Sequence, residues 1–256
     1  MGWSDLKRNL NRATSNVLKT GNTDRTVDRE FEEEEKRFKN LEQKVEKLHR
    51  EANGYAHAVR NMTGSQLRLA SLIDQFYDEG APMGIYGVKY KEAVVRLEQQ
   101  AQDEVDATYR TTVLEPIGRY SSYFPEINEA IKRRNKTLTD YDAARTKARK
   151  LVEKPTDDAT KLPRAEHEAE SLKEMYETMN TQLTLELPKI VDSRVAYLDP
   201  SFEAVVKSQL SFSQDAHNTL EDLRQFFPPE TEGYELDEAA ESILAQMREL
   251  SICGLA

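Results

Sequence analysis

The sequence predicts an all-α protein, an elongated antiparallel bundle of three long, kinked helices that pairs with a second chain. Three observations carry this. Apolar residues recur every seven positions through most of the 256 residues, the stripe of a coiled coil or helical bundle. The chain holds 10 glycines and 9 prolines, well under the usual combined share of about 12%, which disfavours all-β folds and long disordered tracts. Hydrophobic residues reach 38% and charged residues 32%, so each helix has a narrow apolar stripe and needs a partner to bury it.

The first helix is expected from about residue 24 to 80. Phe31, Phe38, Val45, Ala52 and Val59 form one heptad row; Leu41, Leu48, Tyr55, Met62, Leu69 and Phe76 form the other. At 1.5 Å per residue it measures about 85 Å. Gly80, Pro82, Gly84 and Gly87 then break the pattern as a turn between helices. The second helix is expected over about 88–153. Its rows are Val113, Tyr120, Ile127, Tyr141 and Ala148, and Ile117, Phe124, Ile131, Leu138 and Val152. Pro116 and Pro125 lie inside it and should bend it. Residues 154–163 form a charged, exposed tip. A third helix starts near Pro163, a residue suited to a first turn, and runs through Leu172, Tyr176, Met179, Leu183, Ile190 and Tyr197 to about Phe227, interrupted by Pro188 and Pro200. The domain boundaries are therefore 1–23 for an N-terminal segment, 24–228 for the bundle and 229–256 for an acidic tail. That tail carries a short helix along Leu236, Ala240, Ile243, Met247 and Leu250.

The net charge is −10, yet its distribution is uneven, and screening over about 8 Å makes a partner feel local patches. Trp3, Leu6, Leu10, Ala13 and Val17 share one helical face, with Lys7, Arg8, Arg12 and Lys19 around it. Such a basic amphipathic segment suits insertion in the plane of a membrane interface, folding on contact with lipid. The densest basic run is Lys132, Arg133, Arg134 and Lys136, followed by Arg145, Lys147, Arg149, Lys150 and Lys154. Facing anionic lipid, each contributes about 1 kcal/mol. Nucleic acid is a poorer partner, because no reading helix or aromatic stacking platform accompanies these charges. No stretch is apolar enough to span a bilayer.

Catalysis finds no support. The four histidines are scattered, and Glu46-x-x-His49, a spacing used in di-iron bundles, has no second copy. There is no nucleophile elbow, zincin motif or dinucleotide fingerprint, so neither a metal nor a cofactor is expected. Single Cys253 excludes an internal disulfide and fits a reducing cytoplasm. It opens a C-a-a-X frame, but Gly254 is not aliphatic, and Leu6 fails the myristoylation motif.

Five stretches stand out as words: GWSDLKRN at 2–9, EFEEEEKRFKNLEQKVEKLHREANGY at 30–55, FYDEG at 76–80, LEPIGRYSSYFPEINEAIKRRN at 114–135 and YLDPSFEAVVKSQLSF at 197–212. Through them the chain resembles the BAR-domain family, specifically amphiphysin-like N-BAR proteins of the short fungal and bridging-integrator type lacking an SH3 domain. The resemblance implies a crescent-shaped coiled-coil dimer whose concave face binds curved anionic membrane. It places Lys132, Arg133, Arg134 and Lys136 on that face and Lys154, Lys161 and Arg164 at the distal tip. It further implies a homodimer, or a heterodimer with an SH3-containing BAR homologue. It also implies actin-associated partners, cortical actin patches as the location, and roles in endocytosis, actin organisation and cell polarity. A cytosolic coiled-coil adaptor linking partners to cortical actin, without bending lipid, is the alternative.

Overall fold

A computed structural model describes residues 26–77, 84–226 and 233–250. Most of the described residues are helical, and none lies in a strand. In chain order the elements are α1 (Arg29–Phe76), α2 (Gly84–Asp103), a π-helical stretch (Glu104–Leu114), α3 (Glu115–Ser121), α4 (Phe124–Glu153), α5 (Lys161–Glu221), a 3-10 turn (Arg224–Phe226) and α6 (Gly233–Arg248).

The chain divides into two compact units. The first comprises residues up to Gly54 together with Arg110–Ala204. Its register follows from paired contacts. Asp28 of α1 meets Arg134 of α4, Phe38 meets Phe124 edge-on at 5.5 Å, and His49 lies against Gly118 of α3. As the α1 number rises, its partner's falls, so α1 runs antiparallel to α3 and α4. Likewise Lys147 of α4 pairs with Glu168 of α5, Tyr141 stacks on Tyr176 and Tyr120 on Tyr197. Thus α4 and α5 are antiparallel, and α1 and α5 run the same way.

The heptad row of α1 forms the core as its spacing predicts: Phe31, Phe38, Val45, Ala52 and Val59 are all buried. From α3, α4 and α5 come Ile117, Tyr120, Phe124, Ile131, Tyr176, Leu183 and Leu187, also buried. Buried Tyr120 satisfies its hydroxyl by donating to the Ile190 carbonyl at 2.6 Å.

The second unit comprises Tyr55–Tyr109 and the chain from Val205 onward. Here α1 and α2 pack antiparallel, and Gly87 explains how closely. A Cβ at this buried position would sit 3.2 Å from the Asp74 Cα, so only glycine admits the α1 backbone without displacement. One turn on, Lys91 pairs with Asp74 at 2.8 Å. Gly84 and Gly87 therefore belong to the first turn of α2, where the sequence suggested a continuing hinge; Gly80 and Pro82 lie outside the described residues.

The prolines behave differently from expectation. The second segment is broken into pieces because Pro116 and Pro125 occupy first-turn positions of α3 and α4, where a missing N–H costs nothing. Pro116 gives no donor to the Thr112 carbonyl and its ring crowds it, and the π-helical stretch ends just before, at Leu114. By contrast Pro188 and Pro200 lie inside the 61-residue α5 without ending it. Leu187, Val191, Leu198 and Ser201, all buried beside them, hold the turns that lack a hydrogen bond. Pro163 lies in the first turn of α5, and residues 152–161 are exposed throughout.

In the second unit the other heptad row of α1 turns outward. Met62 is 44%, Leu69 53% and Phe76 84% exposed, joined by Leu72, by Ile85, Val88 and Val95 of α2, and by Val206 and Leu210 of α5. On α6, Ile243, Leu244, Met247 and neighbouring Leu250 are exposed as well. Two glycine replacements test this packing in opposite directions. Gly54→Ala, with open space around its Cβ, is expected to raise stability by about 0.5–1 kcal/mol. Gly87→Val is expected to lower it by about 1–3 kcal/mol, both read from urea unfolding midpoints.

Candidate functional site

The basic residues of α4 divide by helical register into an outward set and one inward residue. Lys132, Arg133 and Lys136 are exposed, and three- and four-residue spacing puts them on one face. Lys132 pairs with Glu129 in the same helix, with both side chains well exposed, a contact of little energetic weight.

Arg134 corrects the expectation that it meets lipid: it is 3% exposed. Its Nη2 donates to Asp28 Oδ2 at 3.0 Å, to the Tyr176 hydroxyl at 3.1 Å and to Asn180 Oδ1 at 2.6 Å. Nε donates to Asn180 Oδ1 at 2.8 Å and Nη1 to Asn135 Oδ1 at 3.0 Å. The guanidinium carbon also lies 3.8 Å from the centre of the buried Phe31 ring, a desolvated cation–π contact. Asp28 completes the cluster by accepting the Phe31 N–H at 3.1 Å, capping α1, and the Tyr176 hydroxyl at 3.2 Å. Burial pushes the Asp28 pKa up, but hydrogen bonds from Phe31, Asn180 and Tyr176 and the charge of Arg134 outweigh it, so the carboxyl sits below its ordinary value. Burial raises the Tyr176 pKa, against the lowering effect of Arg134.

Next to this cluster, the N–H and hydroxyl of Thr26 both donate to the Asp142 carboxylate, at 3.2 and 2.7 Å. The same carboxylate pairs with Arg145 at 3.2 Å. Arg145 also lies over the Tyr141 ring, and Arg149 approaches Glu153 at 3.6 Å; both arginines are half-buried.

Near the tip the predicted residues converge. Lys147 and Lys150 from α4 face Lys161 and Arg164 from α5 across a groove of about 610 Å³, with Leu151 and Ala165 in its wall. All four cations are exposed, as is Lys154. Lys147 bonds Glu168 at 2.9 Å. Trp3, Leu6, Lys7, Arg8, Leu10, Arg12, Ala13 and Val17 lie outside the described residues.

Sequence reasoning missed a second groove, about 550 Å³, between α4 and α5 in the first unit. Phe124, Ile127 and Ala130 form one wall and Met179, Leu183 and Ile190 the other, with Arg133 at the edge. The signal was faint: Ile127, Met179 and Ile190 obey the heptad yet end up half-buried. Among the described residues, no group of three His, Cys, Asp or Glu side chains is placed to hold a metal. Likewise no helix there is long and apolar enough to cross a membrane.

Comparison with known proteins agrees along the whole length. The family model of the BAR domain matches residues 6–227. Protein hob3 of Schizosaccharomyces pombe is 49% identical over 261 residues, covering 100% of this chain and 98% of that protein. The Candida albicans protein named regulator of cytoskeleton and endocytosis RVS161 is 40% identical over 263 residues, covering 100% and 99%. The amphiphysin BAR domain from Drosophila superposes with a TM-score of 0.63 at 22% identity, covering 91% of this chain and 100% of that one.

Neighbouring arginines provide a test of the register. Arg134→Met is expected to cost about 1–3 kcal/mol, because it leaves the half-buried Asp28 and Asn180 without their partner, while Arg133→Met changes stability by less than about 0.5 kcal/mol. Asp28 has a depressed pKa in the folded state. Its contribution is therefore complete above the ordinary aspartate value of about 3.9 and is lost as pH falls through the lower folded value. Urea titrations across pH 5 to 2 are expected to show that acid loss shrinking in Arg134→Met.

Proposed function

The chain belongs to the BAR-domain family, and from that premise we propose that it is a dimeric, non-enzymatic scaffold that binds anionic membrane and senses or induces its curvature. Dimerisation and curvature sensing are the general roles of BAR domains. The observation that carries the lipid assignment is the exposed basic face of α4, Lys132, Arg133 and Lys136, with the four cations around the tip groove. Arg134 is left out of this surface because of its burial. Lys154 belongs to the tip set, and Arg145 and Arg149 lend long-range charge from partly covered positions. The N-terminal residues Trp3, Leu6, Leu10, Ala13 and Val17 supply insertion, flanked by Lys7, Arg8 and Arg12.

The apolar face of the second unit, Met62, Leu69, Leu72 and Phe76 with Ile85, Val88 and Val95, is the dimer interface in this reading. So many exposed apolar side chains on two helices packed together mark an interaction surface, and a matching copy covers it, either of this chain or of a longer SH3-bearing homologue. The cellular setting is the cytoplasmic membrane surface at cortical actin patches. There the protein acts in endocytosis, actin organisation and cell polarity; the name of the Candida relative, a regulator of cytoskeleton and endocytosis, supports the first two in outline.

Three experiments test the assignment. Lys132→Glu, Arg133→Glu and Lys136→Glu together are expected to abolish sedimentation with anionic liposomes while leaving the dimer intact. In the unchanged protein, binding is expected to weaken steadily as salt rises; a salt-indifferent interaction supports the adaptor reading instead. Leu69→Asp with Phe76→Asp is expected to give a folded monomer by sedimentation equilibrium, and a persisting dimer places the interface elsewhere.

A further inference from the structure

The apolar groove between α4 and α5 has no role in the proposed function, and its walls are incompletely covered. Ile127, Ala130, Met179 and Ile190 are only half-buried. We infer that this groove is the resting place of the chain's own N-terminal segment, residues 3–17, when no membrane is present.

Length, tether and charge each point to that occupant. Wound as a helix, the apolar face from Trp3 to Val17 would cover 14 steps, about 21 Å, and the α5 wall from Met179 to Ser193 covers the same 14 steps. The segment is delivered close by, since Thr26 is bound to Asp142. Along α4, nine residues, or about 14 Å, separate Asp142 from Arg133 at the edge of the groove. Residues 18–25 reach up to about 28 Å when extended, which spans the gap with slack. Such a short tether gives a local concentration on the order of millimolar. At the exposed rim Glu126 and Glu186 outnumber Arg133, and the segment brings Lys7, Arg8 and Arg12 against Asp5.

Arg133 links the dock to membrane binding, because it belongs both to the groove edge and to the exposed basic face. Segment and membrane therefore compete for one place, and lipid contact releases the apolar face for insertion. A dock filled about nine-tenths of the time lowers apparent membrane affinity about tenfold, since only the undocked fraction is competent.

Trp3 is the single tryptophan of the chain, so its fluorescence in the full-length protein without lipid reads the dock directly. Docking predicts a blue-shifted emission and several-fold weaker acrylamide quenching than in a free peptide of residues 1–23. Glu126→Lys with Glu186→Lys, both at exposed positions, is expected to restore peptide-like quenching, and Ala130→Phe, which plugs the groove, to do the same. Circular dichroism checks that each variant keeps its helices. Trp3 quenched as freely as in the peptide overturns the inference. So does protection that both variants leave unchanged, or protection that disappears on dilution while the dimer persists, which assigns the groove to another copy. With anionic vesicles of phosphatidylserine and phosphatidylcholine, the rim variant is expected to bind about tenfold more tightly. Failure of every form to bind vesicles counts against the membrane function alone, because the Trp3 readout decides the dock without lipid.

Discussion

Burying one arginine organises the first unit. Arg134 brings a full charge into the contact between three helices, and such a charge is tolerated only when its donors are satisfied. Asp28, Asn135, Tyr176 and Asn180 accept them, and Phe31 offers its ring face. Because these partners come from the start of α1, from α4 and from the first third of α5, the cluster sets the register of all three helices at once. Sliding α4 by one residue strands the guanidinium and turns Arg133 inward. The outward direction of Lys132, Arg133 and Lys136 is thus a consequence of what Arg134 does inside.

The same cluster anchors the root of the N-terminal segment. Asp28 caps α1, and two residues earlier Thr26 holds Asp142 with both its N–H and its hydroxyl. The chain therefore enters the domain at a fixed point on α4, beside the basic run. Any action of residues 1–23 on lipid or protein starts from there. The exposed cations Lys132, Arg133 and Lys136, the Thr26 anchor at Asp142 and one wall of the apolar groove thus lie along one helix.

Heptad spacing made the core of α1 legible: the residues from Phe31 to Val59 that repeat every seventh position are the buried ones. It failed at Arg134 through an assumption about residue type. Position 134 stands seven after Ile127 and seven before Tyr141, in the inward row, and its charge made it look like its exposed neighbour. Spacing alone carried the right answer there. Proline misled for a different reason. The effect of a missing N–H depends on whether the residue falls in a first turn, as Pro116 and Pro125 do, or within a helix held by buried neighbours, as Pro188 and Pro200 are. Heptads also cannot tell a packed wall from a groove wall, because both require apolar residues at the same positions.

The first unit is assembled from discontinuous parts of the chain, residues up to Gly54 and Arg110–Ala204. Phe38 finds Phe124 across 86 intervening steps of sequence. At a synthesis rate of about 5–20 residues per second, the α1 aromatics wait about 4 to 17 s for their partners to be made. Throughout that interval Phe31 and Phe38 stand uncovered on a nascent amphipathic helix. The acidic run Glu32–Glu35 beside them puts four negative charges next to the uncovered aromatics over that interval, and like charge disfavours their association.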